Sequence, residues 1–292
     1  MELELKRGGR TARVETLGGE LVSYRDERGL EYIWGGDPAY WPGRNPLLFP
    51  IVGMLKEGKI RFDGREYAME RHGFARRREF TPAARGEDWV RLELRESAET
   101  LALYPYSFRL AVEQRLTDTG FSTAVTVANP GEGPLPFCLG AHTGFRCPLE
   151  AGERFEDYEL VFPERESCPT LLLRDGLRDR PAALPCLEDT DTLPLDYRWF
   201  DALDTLIFEG LRSRSVTLRS RKSGRGVRVS FDGFPMLAFW TMPGKKAPYL
   251  CIEPWHGCAA GTAEGPEFTD KAHCIVLAPG ESRTLAYRAD TL

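Results

Sequence analysis

Hydrophobic and polar residues alternate along much of this chain. The alternation is clearest at residues 90–95, 227–232 and 285–287, where aliphatic or aromatic side chains are separated by charged or small polar ones. In a β-strand, successive side chains point to opposite faces, so a period of two buries one face and exposes the other to solvent. The pattern therefore predicts a chain built mainly from antiparallel strands.

Turn sequences separate these alternating runs. An Asp-Gly pair stands at residues 63–64, KSGRG occupies residues 222–226 and ANPGEGP occupies residues 128–134. Asp-Gly pairs, Pro-Gly pairs and glycine-rich segments are typical of hairpins and loops between strands. Strands do not alternate with long helical patterns, which excludes a doubly wound sheet. We predict a mainly β fold, a large antiparallel β-sandwich or a barrel, with few short helices.

Only two segments resemble helices, residues 96–104 and residues 266–273. The proline-containing region 178–195 is interpreted as a candidate surface excursion. No low-complexity linker interrupts the chain and no repeat of fixed period is visible. We therefore expect residues 1–292 to form a single domain.

Composition and charge narrow the class of protein. The chain has 292 residues, of which 42 % are hydrophobic and 28 % charged, as in folded globular proteins. A net charge of −5 argues against nucleic acid as a partner, because such binders need a basic surface. The start has no apolar signal segment, and the apolar stretch 47–55 is too short to span a bilayer. We expect no membrane association.

The cysteines point to a reducing compartment. Seven are scattered along the chain, with no C-x-x-C pair. An odd number without paired spacing is typical of free thiols in a cytoplasmic protein and of neither a disulfide framework nor a local zinc motif. The chain also has no H-E-x-x-H, no phosphate-binding Walker loop and no G-x-S-x-G element.

Glu253 is the first candidate for chemistry. It follows an apolar run at residues 249–252 and is followed directly by Pro254 and Trp255. A carboxyl group at the end of a buried strand is desolvated, which raises its pKa unless partners hold it charged. The sequence leaves two roles open for Glu253, a general base or a structural carboxylate bonded to backbone N–H groups.

Two histidines and an arginine are further candidates. His142 stands between small residues, which leaves room for a ligand beside its ring, and His72 precedes a glycine and a run of arginines. Taken alone, each histidine is more simply explained as a hydrogen-bonded structural residue. Arg44 precedes a very apolar run, where a guanidinium that clamps ligand oxygens is a reasonable interpretation. His256 and His273 are weaker candidates.

These segments together resemble the aldose 1-epimerase (galactose mutarotase-like) family, and in particular its LacX-like branch. The resemblance rests on four stretches: RNPLLFPIVGMLKEGKIRFDGREYAMERHGFAR (residues 44–76), GAHTGFRCPL (residues 140–149), LCIEPWHG (residues 250–257) and FDALDTLIFEG (residues 200–210). It implies a β-supersandwich with an open sugar-binding cleft. It also implies that a free aldose is the partner, that its α and β anomers are interconverted, and that no cofactor or metal is needed.

The resemblance implies a role for each candidate residue. Glu253 would be the base at the anomeric hydroxyl and His142 the acid at the ring oxygen, exchanging roles as the ring opens and closes. His72 would donate a hydrogen bond to the sugar, and Arg44 would hold a sugar oxygen. The residues around His142 differ from those of the better-known galactose mutarotases, so the preference for a particular sugar is not implied.

The remaining expected contacts are less specific. A sugar-binding aspartate is expected, for which Asp204 is our choice and Asp201 competes. Arg76 would suit an anionic sugar such as a sugar phosphate, although a structural ion pair is equally consistent with the sequence. Trp255 and Phe74 offer aromatic faces to a sugar ring, and for Phe74 core packing is the preferred interpretation.

Two other functions remain open from the sequence. The same fold would serve a sugar-binding or sugar-sensing protein without turnover. A glycoside hydrolase or lyase is disfavoured, because hydrolases usually need two carboxylates and only Glu253 is a strong candidate. The sequence does not determine the oligomeric state, and a homodimer is one possibility.

Overall fold

The fold is that of a computed structural model, which describes residues 1–292 except for the side chains of residues 180–182 and 185. Most of the regular structure is β. The strands are β1 (Glu2–Arg7), β2 (Arg10–Glu15), β3 (Glu20–Arg25), β4 (Leu47–Leu48), β5 (Lys59–Phe62), β6 (Arg65–Ala68), β7 (Thr81–Arg85), β8 (Trp89–Arg95), β9 (Arg109–Leu116), β10 (Gly120–Ala128), β11 (Leu135–Phe137), β12 (Leu139–Ala141), β13 (Thr143–Arg146), β14 (Tyr158–Arg174), β15 (Leu177–Pro194), β16 (Thr205–Glu209), β17 (Ser215–Ser220), β18 (Gly226–Ser230), β19 (Met236–Trp240), β20 (Tyr249–His256), β21 (Ile275–Leu277) and β22 (Ser282–Thr291).

Helices are few and short. The α-helices are α1 (Ala98–Leu101) and α2 (Tyr197–Leu203), and single 3₁₀ turns lie at Lys56–Gly58, Ala75–Arg77, Phe155–Asp157 and Phe268–Asp270. The predicted mainly β fold with few short helices is confirmed. No helix in the described chain has both the length and the apolar composition needed to cross a membrane.

One large antiparallel sheet organises the chain. Fifteen strands belong to it, and its main path runs β4-β12-β20-β19-β16-β14-β17-β18-β22-β10-β9-β8-β7. Strand β13 pairs with β20, and β15 pairs with β14, beside this path. Three small sheets, β1-β2-β3, β5-β6 and β11-β21, complete the regular structure. Strand β20 lies between β12–β13 and β19, so both of its edges are paired.

The alternating pattern has the burial that the sequence predicts. In β8, Val90, Leu92 and Leu94 are buried, and β18 and β22 follow the same rule. The Asp-Gly pair forms the two-residue turn between β5 and β6, with Phe62 paired to Arg65. Both turn residues have positive φ, which explains the choice of Asp and Gly.

The region 178–195, interpreted from the sequence as a surface excursion, consists largely of strand β15, which forms a long hairpin with β14. One local prediction needs correction. The helix expected at residues 266–273 shrinks to the 3₁₀ turn Phe268–Asp270. Helix α2 was not predicted from the sequence. Asp196 is its N-cap residue and accepts a hydrogen bond from the backbone N–H of Arg198, and an aspartate at this position is a recognisable sequence signal.

The main hydrophobic cluster draws residues from β1 through β22. Around Phe49 it is aromatic, with the rings of Phe74, Tyr104, Phe108 and Phe137 packed within 6.0 Å of the Phe49 ring centre. Phe74 is therefore a core residue, as preferred from the sequence. Packing at this point fixes the loop that carries His72.

A close backbone approach joins that loop to the core. Phe49 O accepts hydrogen bonds from the backbone N–H groups of Phe74 and Ala75. Gly73 has φ 69°, and a β-carbon built on it would lie 2.3 Å from Phe49 O. Gly73 is thus required both by its left-handed conformation and by the absence of space for a side chain.

We predict that Gly73→Ala lowers the free energy of unfolding by at least about 3 kcal/mol, because left-handed strain and a backbone clash are combined. The matched control is Gly64→Ala, where φ is 75° and nothing lies within 4 Å of the added β-carbon. Only the conformational strain of about 1–2 kcal/mol applies to the control. Urea unfolding of both variants measures the difference, and equal losses would contradict the proposed clash.

Candidate active site

The register of β20 with its neighbours brings two sequence-distant residues together. The pairs Gly140–Trp255 and Thr143–Ile252 lie on the same antiparallel register. Continuing that register between them places His142 opposite Glu253. His142 itself belongs to neither β12 nor β13, and Pro254 has no N–H to donate at this point of the ladder.

The side chains of these two residues meet in the interior. His142 Nε2 lies 3.3 Å from Glu253 Oε1, and the residues are 8 % and 1 % exposed. The other polar atom of each side chain, His142 Nδ1 and Glu253 Oε2, has no hydrogen-bond partner among the described residues. Buried polar atoms without partners are uncommon in proteins and are typical of sites that bind a ligand or water.

Desolvation sets the protonation of the pair. Burial raises the pKa of the Glu253 carboxyl well above its ordinary value, and the charge of Asp204 adds to this shift. Burial likewise lowers the pKa of His142 to about 3, and the charges of Arg76 and Arg71 reinforce this shift. Both shifts favour the uncharged forms, a protonated carboxyl group beside a neutral imidazole.

His72 reaches the same cavity from the loop after β6. Its Nδ1 accepts a hydrogen bond of 3.1 Å from the backbone N–H of Gly53, and its ring is edge-on to His142 at 5.7 Å between centres. Burial, followed by the neighbouring His142 and the arginines, lowers the pKa of His72 well below its ordinary value. A neutral ring that accepts at Nδ1 carries its proton on Nε2, which makes Nε2–H the available donor.

Tryptophans form much of the cavity wall. Trp41 stacks on the His142 ring at 4.8 Å and 29°, and Trp240 is edge-on to it at 5.6 Å. Trp255 lines the cavity as expected, and its buried Nε1 has no partner among the described residues. These three indoles border a cavity of about 280 Å³, close to the lower end of the range for small-molecule sites.

Two arginines lie at the cavity. Arg76 lines it, as predicted, and its Nη2 donates a hydrogen bond of 2.9 Å to Arg71 O. Arg71 also lines it, with Nη2 at 2.8 Å from Met54 Sδ. Neither guanidinium forms an ion pair within the described side chains, and burial lowers the pKa of Arg76, with the charge of Arg77 adding to the shift.

The structure distinguishes the two candidate aspartates. Asp204 lines the cavity at the end of α2, with φ 61°, and Thr205 Oγ1 donates a hydrogen bond of 2.9 Å to its Oδ2. Asp201 lies outside the cavity lining and accepts a hydrogen bond of 2.7 Å from the backbone N–H of Gly244. Asp204 is therefore the one positioned to meet a ligand.

Arg44 is not among the residues that line the cavity. Its Nε donates a hydrogen bond of 3.1 Å to Gly35 O, and its Nη1 lies 3.8 Å from Glu15 Oε1. The backbone of Arg44 instead supports the site, because its carbonyl accepts a hydrogen bond from the N–H of Gly144, beyond His142. A sugar contact by the Arg44 side chain stays a prediction that this geometry does not favour.

Several residues that line the cavity were not predicted from the sequence. Among them are Trp41, Met54, Arg71 and Trp240. Trp41, Met54 and Arg71 lie within or beside the segments that carried the family resemblance, so proximity to those segments was an available signal. Trp240, at the end of β19, has no such signal, since only the pairing of β19 with β20 brings it to the site.

One group of side chains has metal-ligand chemistry. A nitrogen of His142, the sulfur of Cys251 and a carboxylate oxygen of Glu253 lie within 4.8 Å of one another, and all three residues are buried. The sequence shows no local metal motif because His142 is distant in the chain from Cys251 and Glu253, and only strand pairing brings it to them. All seven cysteines of the chain are free thiols.

Comparison with known proteins agrees with this fold. The sequence profile of the family described as aldose 1-epimerase matches residues 1–289. The chain is 40 % identical over 295 residues to the plasmid-borne and chromosomal forms of Protein LacX from Lactococcus lactis subsp. lactis, with 98 % of each chain covered. The chain belongs to the aldose 1-epimerase family.

Solved structures give the same result. A galactose mutarotase related enzyme from Lactobacillus acidophilus superposes with a TM-score of 0.94 at 26 % identity, covering 100 % of this chain and 97 % of that one. A galactose mutarotase-like protein from Lactobacillus casei superposes with a TM-score of 0.92 at 27 % identity, with both chains fully covered. The predicted galactose mutarotase-like fold and the resemblance to the LacX-like branch are confirmed.

The buried carboxyl predicts a pH-dependent effect on stability. The unfolded chain ionises Glu253 above about pH 4.5, whereas the folded chain retains the proton, so this residue destabilises the fold as pH rises. We predict that Glu253→Gln raises the melting temperature at about pH 8 and has little effect at about pH 4. Scanning calorimetry at both pH values measures the melting temperatures, with a variant at an exposed carboxyl, Glu57→Gln, as control. Equal changes in melting temperature for the two variants would contradict the prediction.

Proposed function

We propose that this protein is an aldose 1-epimerase that interconverts the α and β anomers of an aldose by opening and closing the sugar ring. The observation that carries the proposal is the pairing of Glu253 with His142 at a small cavity with aromatic walls. Mutarotation needs one group to take the proton of the anomeric hydroxyl and another to give a proton to the ring oxygen. A carboxyl–imidazole pair that shares one proton meets this requirement in both directions.

The proposed roles are Glu253 as base at the anomeric hydroxyl and His142 as acid at the ring oxygen. In the free site the shared proton rests on Glu253, as its raised pKa indicates. The productive form, with carboxylate and imidazolium, differs by transfer of that proton across the 3.3 Å between Oε1 and Nε2. Hydrogen bonds from sugar hydroxyl groups to the carboxylate stabilise its charged form and favour this transfer.

The other lining groups would hold the sugar. His72 Nε2–H and the unpaired Nε1–H of Trp255 are donors for sugar oxygens, and the Asp204 carboxylate is an acceptor for hydroxyl groups. The faces of Trp41 and Trp240 shield the ring from water. No chemical step in this scheme calls for a metal or cofactor, because the reaction only moves protons.

The first experiment is the rate of anomer conversion of freshly dissolved glucose, galactose and glucose 6-phosphate, followed by NMR. We expect acceleration over the spontaneous rate by the wild-type protein. Glu253→Gln should reduce kcat/KM by about 10²- to 10⁴-fold, since the proton acceptor is removed with little change in shape. The exposed Glu57→Gln should leave the rate unchanged.

A sugar-binding protein without turnover is the competing function. It predicts sugar affinity by calorimetry in the wild type, together with conversion at the spontaneous rate for each sugar tested. Binding without acceleration would therefore reject the epimerase proposal and retain the sugar site.

We propose further that the preferred aldose carries an anionic group such as a phosphate. The support is the pair of guanidinium groups of Arg71 and Arg76 at the cavity, which have no carboxylate partner in the described side chains. An arginine suits phosphate because its N–H groups form charge-assisted hydrogen bonds with phosphate oxygens. Burial of Arg76 strengthens such a contact by lowering the local dielectric.

The preference for a phosphorylated sugar is tested with Arg76→Met. This variant should lower kcat/KM for glucose 6-phosphate by about 10- to 100-fold, because hydrogen bonds to a charged group are lost. The value for glucose should change much less. The control is Arg77→Met, at a neighbouring arginine that is exposed and paired with Glu70. An equal loss for both sugars would reject a phosphate contact by Arg76.

A further inference from the structure

Three side chains of different donor chemistry converge where Glu253 and His142 line the cavity. Cys251 and Glu253 are two residues apart in β20, so their side chains lie on the same face of the strand. His142 approaches from the opposing chain segment. The nitrogen, sulfur and oxygen ligand atoms lie within 4.8 Å of one another.

This donor set suits zinc. Zn²⁺ binds thiolate, imidazole and carboxylate, with Zn–S of about 2.3 Å and Zn–N or Zn–O of about 2.0–2.2 Å. Tetrahedral geometry then separates pairs of ligand atoms by about 3.3–3.7 Å. The 3.3 Å between His142 Nε2 and Glu253 Oε1 already meets this spacing, and the separations of the thiol from these atoms, up to 4.8 Å, would shorten by about 1 Å.

The site has access and an open position. Glu253 and His142 line the cavity, whereas Cys251 is not among its lining residues and is 0 % exposed. Three protein ligands with a fourth position facing a cavity is the arrangement of open rather than closed zinc sites. Zinc coordination would replace the contact between Glu253 Oε1 and His142 Nε2, and the second carboxylate oxygen of Glu253 has no partner within the described residues.

We propose that His142, Cys251 and Glu253 bind one Zn²⁺ ion, and that the bound ion blocks the sugar site. On binding, the thiol and the carboxyl group each release a proton to solvent, and the resulting thiolate and carboxylate coordinate the cation. The affinity is weaker than that of a structural zinc site, because His142 Nδ1 lacks the second-shell partner that normally orients a ligating imidazole.

Zinc binding does not depend on the proposed function, and only the blocking of the sugar site by zinc rests on it. The test therefore measures the metal first, without sugar. Calorimetric titration of the full chain with ZnCl₂ should give one ion per chain. Cys251→Ser should weaken binding at least about tenfold, because a hydroxyl is a much poorer ligand than a thiolate. Cys147→Ser, at a buried cysteine outside the group, should bind as the wild type does.

Cobalt(II) supplies a second readout that does not depend on the folding of any variant. The wild-type protein with Co²⁺ should show a thiolate-to-cobalt charge-transfer band, and excess Zn²⁺ should abolish the band. Glu253→Gln should weaken the binding of both ions. No saturable binding, no thiolate band, or equal affinity in folded Cys251→Ser would overturn the metal site.

The blocking part is tested by anomer conversion. If the wild type accelerates conversion, one equivalent of bound Zn²⁺ should abolish the acceleration, and a chelator should restore it. Zinc bound at the site without loss of rate would overturn the blocking role. Zinc binding in a protein with no measurable conversion would reject the proposed function and leave the metal site intact.

Discussion

The pairing of β20 with β12 and β13 is the constraint on which the candidate site depends. It sets His142 opposite Glu253 at a point where the ladder is interrupted, so that the two side chains meet in the interior. A shift of the register by one residue would turn either side chain to the other face of the sheet. Because β20 is paired on both edges, such a shift would also disrupt its pairing with β19.

Burial of this pair links the chemistry to the stability of the fold. The same loss of water that raises the pKa of Glu253 and lowers that of His142 leaves polar atoms of both residues without protein partners. Such atoms destabilise the free protein and are available to a ligand. A sugar and a zinc ion would compete for this pair, since both proposed ligands contact the side chains of Glu253 and His142.

The second support of the site is the loop that carries His72. Hydrogen bonds from the loop to Phe49 and Gly53, together with the close approach at Gly73, hold the imidazole at the cavity. His72 itself has φ 66°, an unusual conformation for a non-glycine residue. Strain of this kind persists where surrounding packing determines the backbone, and here the aromatic cluster around Phe49 provides that packing.

The sequence by itself determined the class of fold and the principal candidates, because alternation, turn residues and the Glu253 and His142 segments are local signals. It did not determine that β15 fills region 178–195, since its hairpin partner β14 defines that strand. Only the tertiary structure places Asp204 in the cavity lining, with Asp201 and Arg44 outside it, and brings Trp41 and Trp240 to the cavity and Cys251 to Glu253 and His142. Such placements depend on strand pairing between distant segments, and strand pairing is a non-local property that no short stretch of sequence encodes.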